Sequence, residues 1–188
     1  HDVYVYTPGA MPRPKPLPRR AHRADHRIAA LAARAIAIHI AEASLPSPSP
    51  GVKPGLANVI TLVVLLQYGW RDAAWVSLLR VFAGSLLVGS FLTPTFALSL
   101  AGACASLGIL GLAWRLNPLL PGRGLGPIGF SVLAASAHMT GQIVTARLLF
   151  IPHNGLFHLL PLLMTAAVLF GIVSGIISHA ILTQLRRQ

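Results

Sequence analysis

Acidic residues are nearly missing from this chain. Asp2, Asp25, Glu42 and Asp72 are the only four in 188 residues, and none follows position 72. General acid–base catalysis by paired carboxylates, aspartate-rich magnesium sites for diphosphate substrates and serine–histidine–acid sets all need acids that are not there. Glu42 is the only acid inside an apolar segment, so the chain is expected not to be an enzyme. Cysteine is scarcer still. Cys104 stands alone within an apolar run, which leaves neither a disulfide framework nor a metal cluster. His153 and His158 flank one loop, but two histidines without a third ligand or a carboxylate make a poor metal site. The phosphate-binding pattern G-x-x-x-x-G-K-S/T does not occur either, so no nucleotide site of that kind and no cofactor is expected.

Charge is also thin, at 10% of residues against about 25% in an average soluble domain. What replaces it is apolar: 54% of the chain is hydrophobic and the mean hydropathy is +0.68. Several apolar runs are long enough to cross a hydrocarbon core of about 30 Å, which points to an all-α, polytopic membrane protein. The net charge is +11. In a soluble protein such basicity would suggest nucleic acid. Here Arg13, Lys15, Arg19, Arg20, Arg23 and Arg27 precede the first apolar run, and most of the rest fall near helix ends. That distribution fits a topological signal and contact with anionic lipid better than a nucleic-acid partner.

Residues 1–27 read as a basic, proline-rich, disordered cytoplasmic tail, since Pro8, Pro12, Pro14, Pro16 and Pro18 exclude a helix. No apolar stretch follows within the first twenty residues, which argues against a cleaved signal peptide. Met11 is a candidate start, with residues 1–10 an extension or tag scar. Residues 28–188 form the membrane domain, and six helices are expected. They run from Ile28 to about Leu45, Gly55 to Tyr68, Ala73 to Leu92 after a Trp70-Arg71-Asp72 turn, Pro94 to Trp114, Pro127 to Phe150, and Leu156 to Leu185. Gly124-Leu125-Gly126-Pro127-Ile128-Gly129 matches G-x-G-x-x-G only by letters. It follows no strand and has no acid downstream, and it reads as loop.

Six spans place both termini on one side. The tail's six cations, Arg71, Arg115, Arg123, Arg186 and Arg187 share that side; Lys53 and Arg147 lie on the other. The positive-inside rule makes the terminal side cytoplasmic, in the cytoplasmic (inner) membrane, and turns Lys53 outward.

Ala29, Ala33, Ala37 and Ala41 recur every four residues and so share one stripe of the first helix. Small residues at this spacing admit a neighbouring helix closely, either within the chain or from a partner subunit. Ala97, Ala101 and Ala105, and likewise Gly171 and Gly175, repeat the device, and packing inside the chain is the simpler account of both. Glu42 needs a partner at its depth, and Arg147 is the first candidate for a structural ion pair. Arg34 and Arg80 are expected to snorkel toward cytoplasmic headgroups.

His138 and Gln142, four apart, share a face of the fifth helix, and Asn58 and Thr61 lie in the first turns of the second. Just before them, Pro50-Gly51-Val52-Lys53-Pro54-Gly55 places polar, irregular sequence between apolar runs. Such backbone survives at membrane depth only when it is buried in protein or lines a wet cavity. Pro54 suits a first helical position, and the helix N-terminus with Lys53 favours negative groups. Lys53, Asn58, His138, Gln142, Arg147 and His153 are therefore the candidate binding residues for a small anionic or electron-rich solute.

Pro50-Gly51-Val52-Lys53-Pro54-Gly55-Leu56-Ala57-Asn58-Val59-Ile60-Thr61-Leu62 resembles the P-G-x-K-x-G-L-A-N-x-x-T-L signature of the Gx transporter family, with Pro54 at a position where an aliphatic residue is expected. That family is also labelled heptaprenyl diphosphate synthase component I, and it is similar to the substrate-binding S components of energy-coupling factor (ECF) transporters. The resemblance covers residues 28–185. It implies a six-helix fold with a pocket open to the outside, closed by the loop between the first two helices. It also implies that the alanine stripe meets a transmembrane coupling subunit, since the chain itself has no ATP site. The alternative is a non-transporting membrane subunit, either in isoprenoid or quinone biosynthesis or in a flavin-linked extracytoplasmic electron-transfer complex.

Overall fold

Glycine and proline set the ends of the helices, and the computed structural model shows how. It describes residues 25, 26, 28–33, 56–119, 124–151, 153 and 155–185. All regular structure among these residues is helical. The first helix, α1, is described over residues 28–33; then come α2 (Leu56–Tyr68), α3 (Trp70–Val88), α4 (Pro94–Leu116), a 3-10 turn (Asn117–Leu119), α5 (Pro127–Leu149) and α6 (Leu156–Leu185). Residues 1–24 and Arg27 of the tail, Ala37, Ala41, Glu42 and Lys53 lie outside the described residues, as do Arg34 and Pro54, whereas Asp25 and His26, assigned to the tail from sequence, are helical.

The helices expected second to sixth are present in the expected order, with both ends of the third moved, and the first is helical over the residues described. Gly69 alone reverses the chain between α2 and α3 at φ 98°, a conformation open to glycine and strained for other residues. Trp70, Arg71 and Asp72 therefore form the first turn of α3 instead of a connecting loop. At its other end α3 stops four residues earlier than Leu92, because Gly89 takes a left-handed φ of 74° and the Ser90 N–H bonds back to the Ser85 carbonyl at 2.8 Å. Thr93 then caps α4, its hydroxyl accepting from the Phe96 N–H, with Pro94 in the first turn. Asn117 Oδ1 accepts the Leu125 N–H and so ties the end of α4 to the approach of α5.

The described long helices form a ring: α3 packs on α4, α4 on α5, α5 on α6, α6 on α2, and α2 back on α3, while α2 also reaches α5 across the middle. Small residues make the closest seams. A Cβ built on Gly141 would lie 2.7 Å from the Ala105 Cβ and 2.9 Å from the Ala101 carbonyl oxygen. One on Gly175 would lie 2.6 Å from the Ile128 Cα, and one on Gly171 2.9 Å from the Val132 Cα. The small-residue stripes of α4 and α6 thus serve packing within the chain. Lipid supplies no hydrophobic drive between helices, so such seams must hold by van der Waals fit.

The apolar core gathers Leu62, Val64 and Leu65 of α2 with Ala73, Val76, Leu110, Phe130 and Ala134. Ile28 and Leu31 of α1 pack against it and Ala32 is buried, whereas Ala29 and Ala33 are exposed. Polarity runs opposite to that of a soluble domain. Arg80, Thr61, Ser77, Ser85, Ser106, Ser131, Ser174 and Ser178 are buried, while Leu86, Leu87, Leu148, Leu162 and Leu169 are exposed. Lipid-facing surface requires this arrangement. Among the described residues, two helices are long and apolar enough to cross a membrane: Pro94–Leu119, 26 residues at mean hydropathy 1.9, and Leu156–Leu185, 30 residues at 2.3. The helices α3 and α5 are less apolar because they carry inward-facing polar side chains, such as Arg80 and Ser131.

Candidate functional site

Polar side chains from four helices converge on one cavity. Asn58 and Thr61 come from α2, Ser106 from α4, Ser131 from α5 and Ser174 from α6, with Leu62, Leu110, Ala134, Ala135, Phe170 and Gly171 completing the wall. Its volume is about 30 Å³, enough for one or two waters. The Thr61 hydroxyl is buried with no hydrogen-bond partner among the described residues. Such a group normally bonds to protein, water or ligand, and leaving it bare costs about 1–3 kcal/mol.

Depth follows from register. Because α2 lies beside Phe170 and Ser174, its first turns meet α6 about 21 Å along from Leu156, at ~1.5 Å per residue. The N-terminus of α2 therefore stands well inside the bundle, while α5 and α6 continue past it. Half-helices whose N-termini end at mid-depth are a recurring way to place a polar site in a membrane.

Arg80 reaches the same level from α3. It is 6% exposed, and its Nη1 donates to Asn58 Oδ1 at 3.1 Å. Snorkelling, the expectation for this residue, is corrected: the guanidinium turns into the protein, where Asn58 accepts from it. A charge held this way costs less than one in lipid and fixes the Asn58 carboxamide. His138 lies one helix further round. Its imidazole fills the space above Gly102, where a Cβ would be 2.7 Å from Nε2, and Nδ1 is buried without a partner among the described residues.

The six residues singled out from sequence therefore separate. Asn58 lines the cavity, and His138 is buried in the bundle against α4. Gln142 is half-buried one turn beyond it and is not part of the cavity wall. Arg147 lies elsewhere, in a groove between α5 and α6, with its guanidinium 5.9 Å from the centre of the Phe157 ring. His153 is exposed, and its Nδ1 accepts the Gly155 N–H at 2.9 Å, which makes it a turn residue. Lys53 lies outside the described residues, as does Glu42, so the Glu42–Arg147 pair does too. Sequence reasoning missed Arg80 and the three cavity serines. Their signal was weak: a serine in an apolar helix bonds its own backbone as readily as a site, as Ser178 does to the Ser174 carbonyl at 2.8 Å.

The family model described as heptaprenyl diphosphate synthase component I matches residues 31–181. No curated protein and no solved structure matches the chain. The chain belongs to the heptaprenyl diphosphate synthase component I family.

Proposed function

We propose that this member of the family is a non-catalytic membrane subunit that binds, and with a partner translocates, a small anionic or electron-rich solute, in the manner of an ECF transporter S component. Six transmembrane helices, both termini in the cytoplasm and a place in the cytoplasmic membrane belong to the same reading. One observation carries it: the cavity where Asn58, Thr61, Ser106, Ser131 and Ser174 meet inside an otherwise apolar bundle, with a bare buried hydroxyl on its wall. Arg80 behind Asn58 gives this site a positive field.

At about 30 Å³ the cavity is closed to anything larger than water. Solute entry then requires α2 to part from α5 and α6, and the polar segment containing Lys53 is the natural handle, being joined directly to α2. Ala29 and Ala33, turned away from the bundle, leave small-residue surface for a coupling subunit. That subunit would supply the energy.

A second reading is favoured by the family's description, which names one component of a prenyl diphosphate synthase. Under it the chain is a non-transporting subunit of an isoprenoid or quinone biosynthetic complex. Copurification from native membranes separates the two: a coupling subunit with ATPases supports transport, a prenyl synthase supports the alternative. Native mass spectrometry of the purified protein tests the site itself. A bound small molecule that is lost in Asn58→Ala and kept in His153→Ala supports the cavity; retention unchanged in Asn58→Ala overturns it.

A further inference from the structure

Among the described residues, two buried side-chain polar atoms have no hydrogen-bond partner: Thr61 Oγ1 and His138 Nδ1. Buried polar atoms of this kind normally find a partner in protein, water or ligand. Thr61 stands on the cavity wall, and the register of the helices brings His138 to the cavity's next turn. Ser131, Ala134 and Ala135 line the cavity, and His138 continues the same face of α5 one helical turn (~5.4 Å) beyond Ala134. On α4 the match repeats: Gly102 lies under the imidazole, and Ser106, one turn on, lines the cavity. Arg80, which donates to Asn58, is also the charged neighbour of the imidazole.

The two ends differ in chemistry. On its Nε2 side the ring lies against Gly102, whose backbone is its hydrogen-bond partner. A helix carbonyl only accepts, so the ring proton sits on Nε2 and leaves Nδ1 as an acceptor. At the cavity end donors prevail. Thr61, Ser106, Ser131 and Ser174 bring hydroxyls, and Asn58, its Oδ1 taken by Arg80, offers N–H. On the reading of the cavity as a solute site, we propose that cavity and His138 form one two-ended site for a short hydroxycarboxylate. Its carboxylate meets the donors around Thr61, and its hydroxyl donates to His138 Nδ1. A hydroxyl suits that end better than an ammonium, which would bring a second cation beside Arg80. Bound in this way, the solute joins α2 to α5 and closes the gap through which it entered.

Calorimetric titration of the purified full chain with 3-hydroxypropionate and with butyrate tests the assignment, because the two probes have the same length and differ in hydroxyl against methyl. 3-Hydroxypropionate is expected to bind about tenfold more tightly, since butyrate leaves Nδ1 bare. His138→Phe keeps a ring over Gly102 and should bring the two probes level, whereas Thr61→Val should weaken both and keep their ratio. The thermal transition of each variant reports folding, and His138→Leu replaces the Phe variant should that one not fold. Equal affinity of the two probes for the wild type would overturn the proposal, as would an unchanged ratio in the His138 variant that folds. So would failure of 3-hydroxypropionate to bind at millimolar concentration. The cavity reading is judged separately: a molecule retained by the wild type and lost in Asn58→Ala upholds it even where 3-hydroxypropionate does not bind.

Discussion

Removing Asn58 from beneath Arg80 is the most informative perturbation. Arg80 is 6% exposed, and its Nη1 donates to Asn58 Oδ1 at 3.1 Å. A hydrogen bond to a charged group is worth about 1.5–3 kcal/mol in soluble proteins, whereas bonds between helices in a bilayer average about 0.6 and reach about 1.7 kcal/mol. Charge assistance places this bond at the upper end, so a coupling of about 1–2 kcal/mol is expected, a factor of roughly 5–30 in the folding equilibrium. The signs of the single variants differ. Asn58→Ala should destabilise by about 1–2 kcal/mol, because the buried guanidinium loses one of its acceptors. Arg80→Met should cost little, since burying a thioether chain removes the desolvation penalty along with the bond. In the Arg80→Met background, Asn58→Ala should cost correspondingly less. Unfolding by dodecyl sulfate in mixed micelles, followed by tryptophan fluorescence, gives the three differences. Additivity within about 0.3–0.5 kcal/mol would refute the reasoning, because it would mean the bond contributes nothing to the fold.

Further outcomes follow from the same geometry. Thr61→Val keeps the shape and deletes a bare hydroxyl, so stability should hold or rise by up to about 1 kcal/mol, while retention of the small solute falls in native mass spectra. Gly108→Ala meets nothing within 4 Å and should stabilise by about 0.5–1 kcal/mol. Gly141→Ala runs into the Ala101 carbonyl at 2.9 Å and should cost about 1–3 kcal/mol by the same unfolding assay. Trp70→Phe loses the indole N–H bond to the Leu107 carbonyl at 3.0 Å and should cost about 0.5–1.5 kcal/mol, with a blue or red shift absent from the Trp75 and Trp114 signals.

Much of the architecture was legible because its cues are local. Pro94, Pro127 and the loop before Leu156 start helices by backbone sterics, which act over a few residues, and α4, α5 and α6 begin where those cues put them, whereas the stop at Gly89, short of the expected Leu92, was not anticipated. The stripes of α4 and α6 were readable too, since a four-residue repeat fixes a face whatever lies opposite. The turn at Gly69 was placed late because a single residue can reverse the chain when φ is positive, and polarity at Trp70-Arg71-Asp72 looked like loop.

The site was legible only in part, for a reason that divides the molecule cleanly. Composition and apolar run length determined an all-α membrane domain, and the segment ending at Asn58 and Thr61 marked where polar chemistry enters it. Both are properties of neighbours along the chain. Whether Arg80 points to headgroups or to Asn58, whether Arg147 belongs with Asn58, and which serines share a wall depend on how helices rotate and slide against one another. Close glycine seams decide that rotation and register. It brought Arg80, Thr61, Ser106, Ser131 and Ser174 to one level and left Arg147 on the outer groove with Phe157. No periodicity within a single helix records the angle at which its neighbour packs.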